Sequence, residues 1–146
     1  MKANVPDNQQ LEIGKSVGFL LAKAYQRASL LFKETFEGYD LTPQQFGVLG
    51  FLWQEDGMSQ SELSARSQID RTTMGGLIDR LEKEGLVARR SHPDDRRAYR
   101  ICLTPRGKAL QSELTPLAHS ALAKLTAKLD PQEIETLKSL LEKLRS

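Results

Sequence analysis

A single cysteine, Cys102, stands in a chain of 146 residues. An intrachain disulfide is therefore excluded, as is a zinc cluster built on repeated cysteine spacing. Long apolar runs are missing too. No stretch approaches the ~20 residues needed to cross a bilayer, and the opening MKANVPDNQQ lacks the apolar centre of a secretion signal. A soluble, untargeted, cytoplasmic protein is the expectation. There is no glycine-rich phosphate loop, His92 and His119 fall on different elements, and Cys102 has no evident histidine base. Catalysis, a cofactor and a bound metal are accordingly not expected. The length suits one well-buried domain rather than two joined by a linker.

Charge is present but unevenly placed. The formal balance is only +2, yet between Arg66 and Lys108 eleven Lys and Arg face six Asp and Glu. That segment carries +5 and leaves −3 for the rest, a basic surface on an otherwise acidic scaffold. Such a surface favours phosphate; it says nothing of sequence specificity.

Apolar residues from about 9 to 38 (Ile13, Val17, Leu20, Leu21, Ala24, Ala28, Leu31, Phe32) recur at three- and four-residue steps, predicting one long helix. Thr42, Pro43 and Gln45 form a start signal for a second helix to about Glu55. With Phe46, Leu49, Phe51, Leu52 and Trp53 it is apolar nearly all round and should be central. Ser59 with Glu62 opens a short third helix to about Ser67, and Asp70 caps a fourth that stops near Gly85. A strand, a hairpin and a second strand follow. Thr104-Pro105 begins a fifth helix to about Lys128, with a kink or break expected at Pro116. Asp130, Pro131 and Glu133 begin a sixth. The fold class predicted is mainly α with a small β-hairpin, in the order of a winged helix-turn-helix.

At about 100° per residue, the face of the fourth helix opposite Met74, Leu77, Ile78 and Leu81 carries Thr72, Gly75, Gly76, Asp79 and Lys83, flanked by Thr73 and Arg80. A helix in the major groove presents its N-terminal residues to base edges, so Arg71, Thr72, Thr73, Gly75, Gly76 and Arg80 form the expected recognition set. Two interior glycines cost about 1 kcal/mol each against alanine. Close approach to a duplex and local packing both account for them. Asp79 would be repelled by phosphates unless it accepts from a cytosine amino group or neutralises a neighbour, and pairing with Lys83, four residues on, is the simpler account.

Tyr99, Ile101 and Leu103 alternate as an inward face of the second strand, leaving Arg100 and Cys102 outward. Between the strands lie Arg89, Arg90, Asp95, Arg96 and Arg97, the expected wing contacts to DNA. An arginine in a narrow minor groove reads width rather than base pattern. On an extended hairpin, Asp95 and Arg97 project to the same side, so the carboxylate can orient the guanidinium. Leu110, Leu114, Leu117, Ala121, Leu125 and Leu129, then Ile134, Leu137, Leu140, Leu141 and Leu144, give the last two helices wide leucine faces. Packing against the first helix and a second copy of the chain would cover them; an intramolecular bundle is the alternative.

Three sets of residues resemble the MarR family of bacterial transcriptional regulators, over nearly the whole chain. Asp95-Arg96-Arg97 followed by Ile101-Cys102-Leu103-Thr104 and Gly107 is similar to that family's wing motif. Leu63-Ser64 and the run from Leu81 to Val87 resemble its third helix and the end of its recognition helix. The resemblance implies a homodimer with interlocked terminal helices (9–38 and 105–146) and two winged lobes (42–104) on a pseudo-palindromic double-stranded operator. It assigns the minor-groove role to Arg97, with Asp95 orienting it. Family members are commonly repressors released by small, often aromatic, molecules bound between the dimerisation and DNA-binding regions. Phe19, Tyr25, Phe46 and Phe51 are the aromatic candidates for such contact. The family's oxidant-sensing cysteine near the start of the first helix is absent here. An oxidant response through Cys102 and a winged-helix protein-interaction module are the alternative readings.

Overall fold

The first helix is shorter than its apolar stripe. In the computed structural model, which describes residues 10–91, 94 and 99–146, Ser16 has extended backbone and its hydroxyl oxygen accepts from the Phe19 N–H. Helix α1 therefore runs Val17–Thr35, with single 3-10 turns at Ile13–Lys15 and Glu37–Tyr39. The unbroken helix expected over 9–38 fails at Ser16 because a serine oxygen offers an amide a partner outside the helix ladder. At the far end the chain turns into the core at Phe36 and passes through left-handed backbone at Asp40, φ 55°.

Caps set the next boundaries where the sequence places them. Thr42 and Gln45 exchange hydrogen bonds to start α2 (Pro43–Gln54), as Ser59 and Glu62 do for α3 (Gln60–Ser67). Asp70 caps α4 (Arg71–Lys83), and Gly85 takes the left-handed position beyond it, φ 76°. Strand β1 (Met58–Ser59) pairs with β3 (Tyr99–Leu103), which also pairs with β2 (Val87–Ser91), giving an antiparallel sheet of order β1-β3-β2. Two residues are too few to show alternation, so β1 has no sequence signal.

Helix α5 (Pro105–Leu125) is continuous across Pro116 rather than broken there, and it ends before the expected Lys128. Pro116 and Ser112, whose carbonyl loses its helical partner, are both exposed, so water can satisfy that carbonyl. The buried residues Leu114, Ala118 and Ala121 follow the opposite stripe. Arg27 on α1 donates to the carbonyls of Lys124 (3.2 Å) and Leu125 (3.1 Å), closing the C-terminus of α5 with a cation. The Asp130 and Glu133 capping box then starts α6 (Pro131–Arg145).

The core lies in the central segment, around Leu49, Leu52, Leu63, Ile78, Leu81 and Ile101. Helix α2 is central, as its composition predicts, although Phe46, Phe51 and Trp53 are only half-buried. Phe46 stacks on Phe36 at 4.7 Å between ring centroids and meets the edge of Trp53 at 5.8 Å. No residue of α6 is buried, and Leu137, Leu140, Leu141 and Leu144 all face outward. Among the described residues, no helix is long and apolar enough to cross a membrane.

Candidate nucleic-acid interface

The start of α4 is fastened by one carboxylate. Asp70 accepts from the Thr73 N–H at 2.8 Å and from the Thr73 hydroxyl at 2.9 Å. The backbone bond, then the hydroxyl bond, hold the Asp70 carboxyl below its ordinary value. The cap therefore contributes fully above the ordinary aspartate pKa and is lost as pH falls through the depressed folded value. Asp70→Asn keeps a capping oxygen that does not titrate. Helicity followed by circular dichroism in acid should lose this component of pH dependence in Asp70→Asn; identical titration curves for the two proteins would contradict the assignment. At the other end of α4, burial and then the Asp40 carboxylate push the Glu84 carboxyl up, while Arg106 and Arg80 pull it down.

Arg71, Thr72, Thr73, Gly76 and Arg80 are exposed and Gly75 is half-buried, while Met74, Leu77, Ile78 and Leu81 face the core. The Thr73 hydroxyl hydrogen is committed to Asp70, which leaves Thr73 its oxygen lone pair and its methyl. Thr72 has no side-chain hydrogen bond within the described residues. The two glycines separate. A Cβ on Gly75 would lie 3.3 Å from the Gln60 side-chain amide of α3, so packing explains it. A Cβ on Gly76 would meet nothing within 4 Å. Gly76→Ala should therefore stabilise the protein by about 0.5–1 kcal/mol in urea unfolding. If the duplex approaches this backbone, the same variant should bind operator about tenfold more weakly. Unchanged affinity would remove Gly76 from the reading face.

The strands of the wing divide their arginines. In the β2–β3 register Arg89 lies opposite the buried Ile101, and Arg90 lies opposite Arg100. Arg90 is exposed, whereas Arg100 donates to the Gly57 carbonyl at 3.1 Å. Arg89 turns toward α4, where its guanidinium meets Asp79 at 2.7 Å and Glu82 at 2.9 Å. Asp79 is thus paired with Arg89 across the turn, not with Lys83 on its own helix. Ile101 is buried as predicted; Tyr99, expected inward, is exposed, because the strand has left the core by that position. Asp95, Arg96, Arg97 and His92 lie outside the described residues.

Behind the wing, Thr104 donates to the Gly85 carbonyl at 2.6 Å and accepts from the Gly107 N–H at 3.0 Å. Gly107 lies directly against the Leu86 carbonyl, and its own carbonyl accepts from Trp53 Nε1 at 2.9 Å. The end of α4, β3 and α5 are pinned together at this point.

Residues 41–99 match the profile of the MarR family. Over 112 residues the chain is 36% identical to the HTH-type transcriptional repressor NicR of Pseudomonas putida, covering 77% of this chain and 71% of that protein. The chain belongs to the MarR family. Its structure is similar to that of Bordetella bronchiseptica BpsR, whose DNA binding is regulated by 6-hydroxynicotinic acid (TM-score 0.88, 34% identity, 94% of this chain and 98% of that one). It is also similar to a mutant MarR from E. coli complexed with operator DNA (TM-score 0.84, 27% identity, 92% of this chain and 99% of that one).

As a MarR-family protein the chain is a transcriptional regulator and not an enzyme. The four aromatic candidates for effector contact differ in exposure. Phe46 belongs to the core stack and Phe51 is half-buried against the core, while Phe19 and Tyr25 are exposed on α1. A cleft of about 500 Å³ between the end of α1 and the start of α2 is lined by Leu30, Lys33, Glu34, Phe36, Asp40 and Leu41 among others, and by none of the four. Cys102 is half-buried on β3 opposite Ala88. Sequence reasoning passed over Gln60, whose contact with Gly75 crosses from α3 to α4 and leaves no mark in local spacing.

Proposed function

We propose that the chain is a homodimeric, sequence-specific repressor, acting in the cytoplasm on a pseudo-palindromic operator and released by a small aromatic ligand. The observation that carries this reading is the solvent face of α4, where Arg71, Thr72, Thr73, Gly76 and Arg80 stand exposed above a fully packed apolar face. Arg90 extends the cationic surface onto the wing. Thr72 and Arg80 reach base edges, Arg71 and Arg90 meet phosphates, and Gly76 lets the helix backbone lie close to the duplex, with Gly75 beside it packed against α3. At the wing tip Arg97 enters the minor groove with Asp95 orienting it, and Arg96 binds the backbone; these roles rest on the sequence motif.

Dimerisation falls to the terminal helices, 9–38 and 105–146, whose apolar residues remain uncovered in the single chain: Leu11, Val17 and Leu20 at one end, Leu137, Leu141 and Leu144 at the other. A small aromatic effector is favoured by the similarity to BpsR, with Phe19 and Tyr25 the accessible aromatics among the four candidates.

Operator fragments can be obtained by enriching genomic DNA on the purified protein. Arg97→Ala should lower affinity for such a fragment by about 10- to 100-fold without changing the thermal midpoint. Wild-type binding should also fall steeply between 50 and 200 mM salt, as roughly 0.9 counterions are released per phosphate contacted. A flat salt response, or no enriched fragment, would favour a protein-interaction module instead.

A further inference from the structure

We propose that Arg89 is a positioning residue that locks the wing to the recognition helix and neutralises Asp79, and does not itself bind phosphate. The inference rests on the DNA-binding reading and assigns a different task to one of its arginines. Strand alternation places Arg89 on the same side of β2 as the buried Val87, while Arg90 projects to the other side. The Arg89 side chain is only 21% exposed.

Both of its terminal guanidinium nitrogens are already in contact with acceptors. One guanidinium nitrogen contacts Asp79 Oδ1 at 2.7 Å and Glu82 Oε1 at 2.9 Å, and the other reaches the Gly75 carbonyl at 3.4 Å. Glu82 also accepts from the Arg89 backbone N–H through its second oxygen, at 3.2 Å, so one carboxylate grips both ends of the residue. A phosphate approaching Arg89 meets a cluster of one cation and two carboxylates, a local charge of −1. Attraction there is cancelled. The planar guanidinium spans three acceptors at once, which a lysine ammonium on a flexible stem cannot reproduce. Asp79, the one carboxylate among the groove-facing positions, is drawn toward the wing by the same contact. Its pairing removes the repulsion that an isolated carboxylate would exert on the duplex.

Titrations against an operator fragment enriched by the wild-type chain, and against a scrambled duplex of equal length, test the assignment. Arg89→Ala and Asp79→Asn should each reduce the ratio of the two affinities by about tenfold, and the double variant should be no worse than the poorer single one. The slope of log affinity against log salt should stay at its wild-type value in Arg89→Ala, and Arg89→Lys should not restore the ratio. A slope shallower by about 0.9 in Arg89→Ala would mark a lost phosphate contact and overturn the proposal. So would an unchanged ratio, or a raised ratio in Asp79→Asn. Hydrogen exchange without DNA supplies an independent arm: in Arg89→Ala the β2 amides should exchange about tenfold faster, while those of Ile78 and Leu81 keep wild-type rates. Unchanged β2 exchange overturns the lock. If the wild-type protein enriches no DNA, the regulatory reading fails, and the exchange result alone decides whether Arg89 joins the two elements.

Discussion

Gly107→Ala should be among the most destabilising single substitutions in the chain, by about 3 kcal/mol, with a fall in thermal midpoint of roughly 10 °C at fixed protein concentration. A methyl group at residue 107 would be driven into the Leu86 backbone carbonyl and would also crowd Leu103 Cδ2 at 3.2 Å. The Leu103 methyl can shift, but the Leu86 carbonyl cannot give way cheaply. The Leu86 carbonyl accepts from the Thr104 N–H at 3.1 Å, and Leu86 itself is buried. Moving α5 outward would instead stretch the Thr104 contacts and the Trp53 bond to the Gly107 carbonyl. The usual gain of about 1 kcal/mol for replacing glycine by alanine in a helix offsets only part of this. Urea and thermal unfolding of the variant beside Gly76→Ala give a direct contrast, since the two changes are chemically identical and should have opposite signs. A wild-type midpoint for Gly107→Ala would show that the junction yields without cost.

Leu137→Glu combined with Leu141→Glu should convert a dimer into a folded monomer and reduce operator binding to the non-specific level, a loss on the order of a thousandfold or more. Both side chains are already exposed in the single chain, and α6 buries none of its residues there. Placing carboxylates on that surface therefore costs the isolated chain little. Between two copies the same carboxylates would be desolvated without partners, which costs several kcal/mol each. Sedimentation gives the mass, and circular dichroism confirms retained helix. A double variant that sediments as a dimer would place the interface elsewhere and point to an intramolecular role for the leucines.

Much of the architecture was legible because its signals are local. Thr42, Ser59, Asp70, Thr104 and Asp130 each cap the helix that the sequence assigns to them, since a cap needs only a side-chain oxygen and an amide three residues away. The faces of α4 follow from helical geometry in the same way. The misreadings arise where something other than apolar spacing decides. Ser16 interrupts the first stripe, Pro116 is accommodated because its freed carbonyl lies at the surface, and β1 exists only because Met58 pairs with Ile101. Periodicity cannot register any of these.

The candidate interface divides along the same line. Chain order and spacing alone were enough to place a capped fourth helix, a two-stranded wing and a basic stretch between Arg66 and Lys108, because helix phase, strand phase and net charge are properties of neighbouring residues. Contacts between elements distant along the chain determined which of these groups are available. Glu82 and Arg89 are seven positions apart, and a turn and a change of element bring them together; Gly75 meets Gln60 across two helices, and Gly107 meets Leu86 across the wing. The pairing of Asp79, the differing reasons for two adjacent glycines and the division of labour between Arg89 and Arg90 follow from that packing. Side-chain chemistry specifies what a residue can bind, but folding determines which of its donors are already engaged.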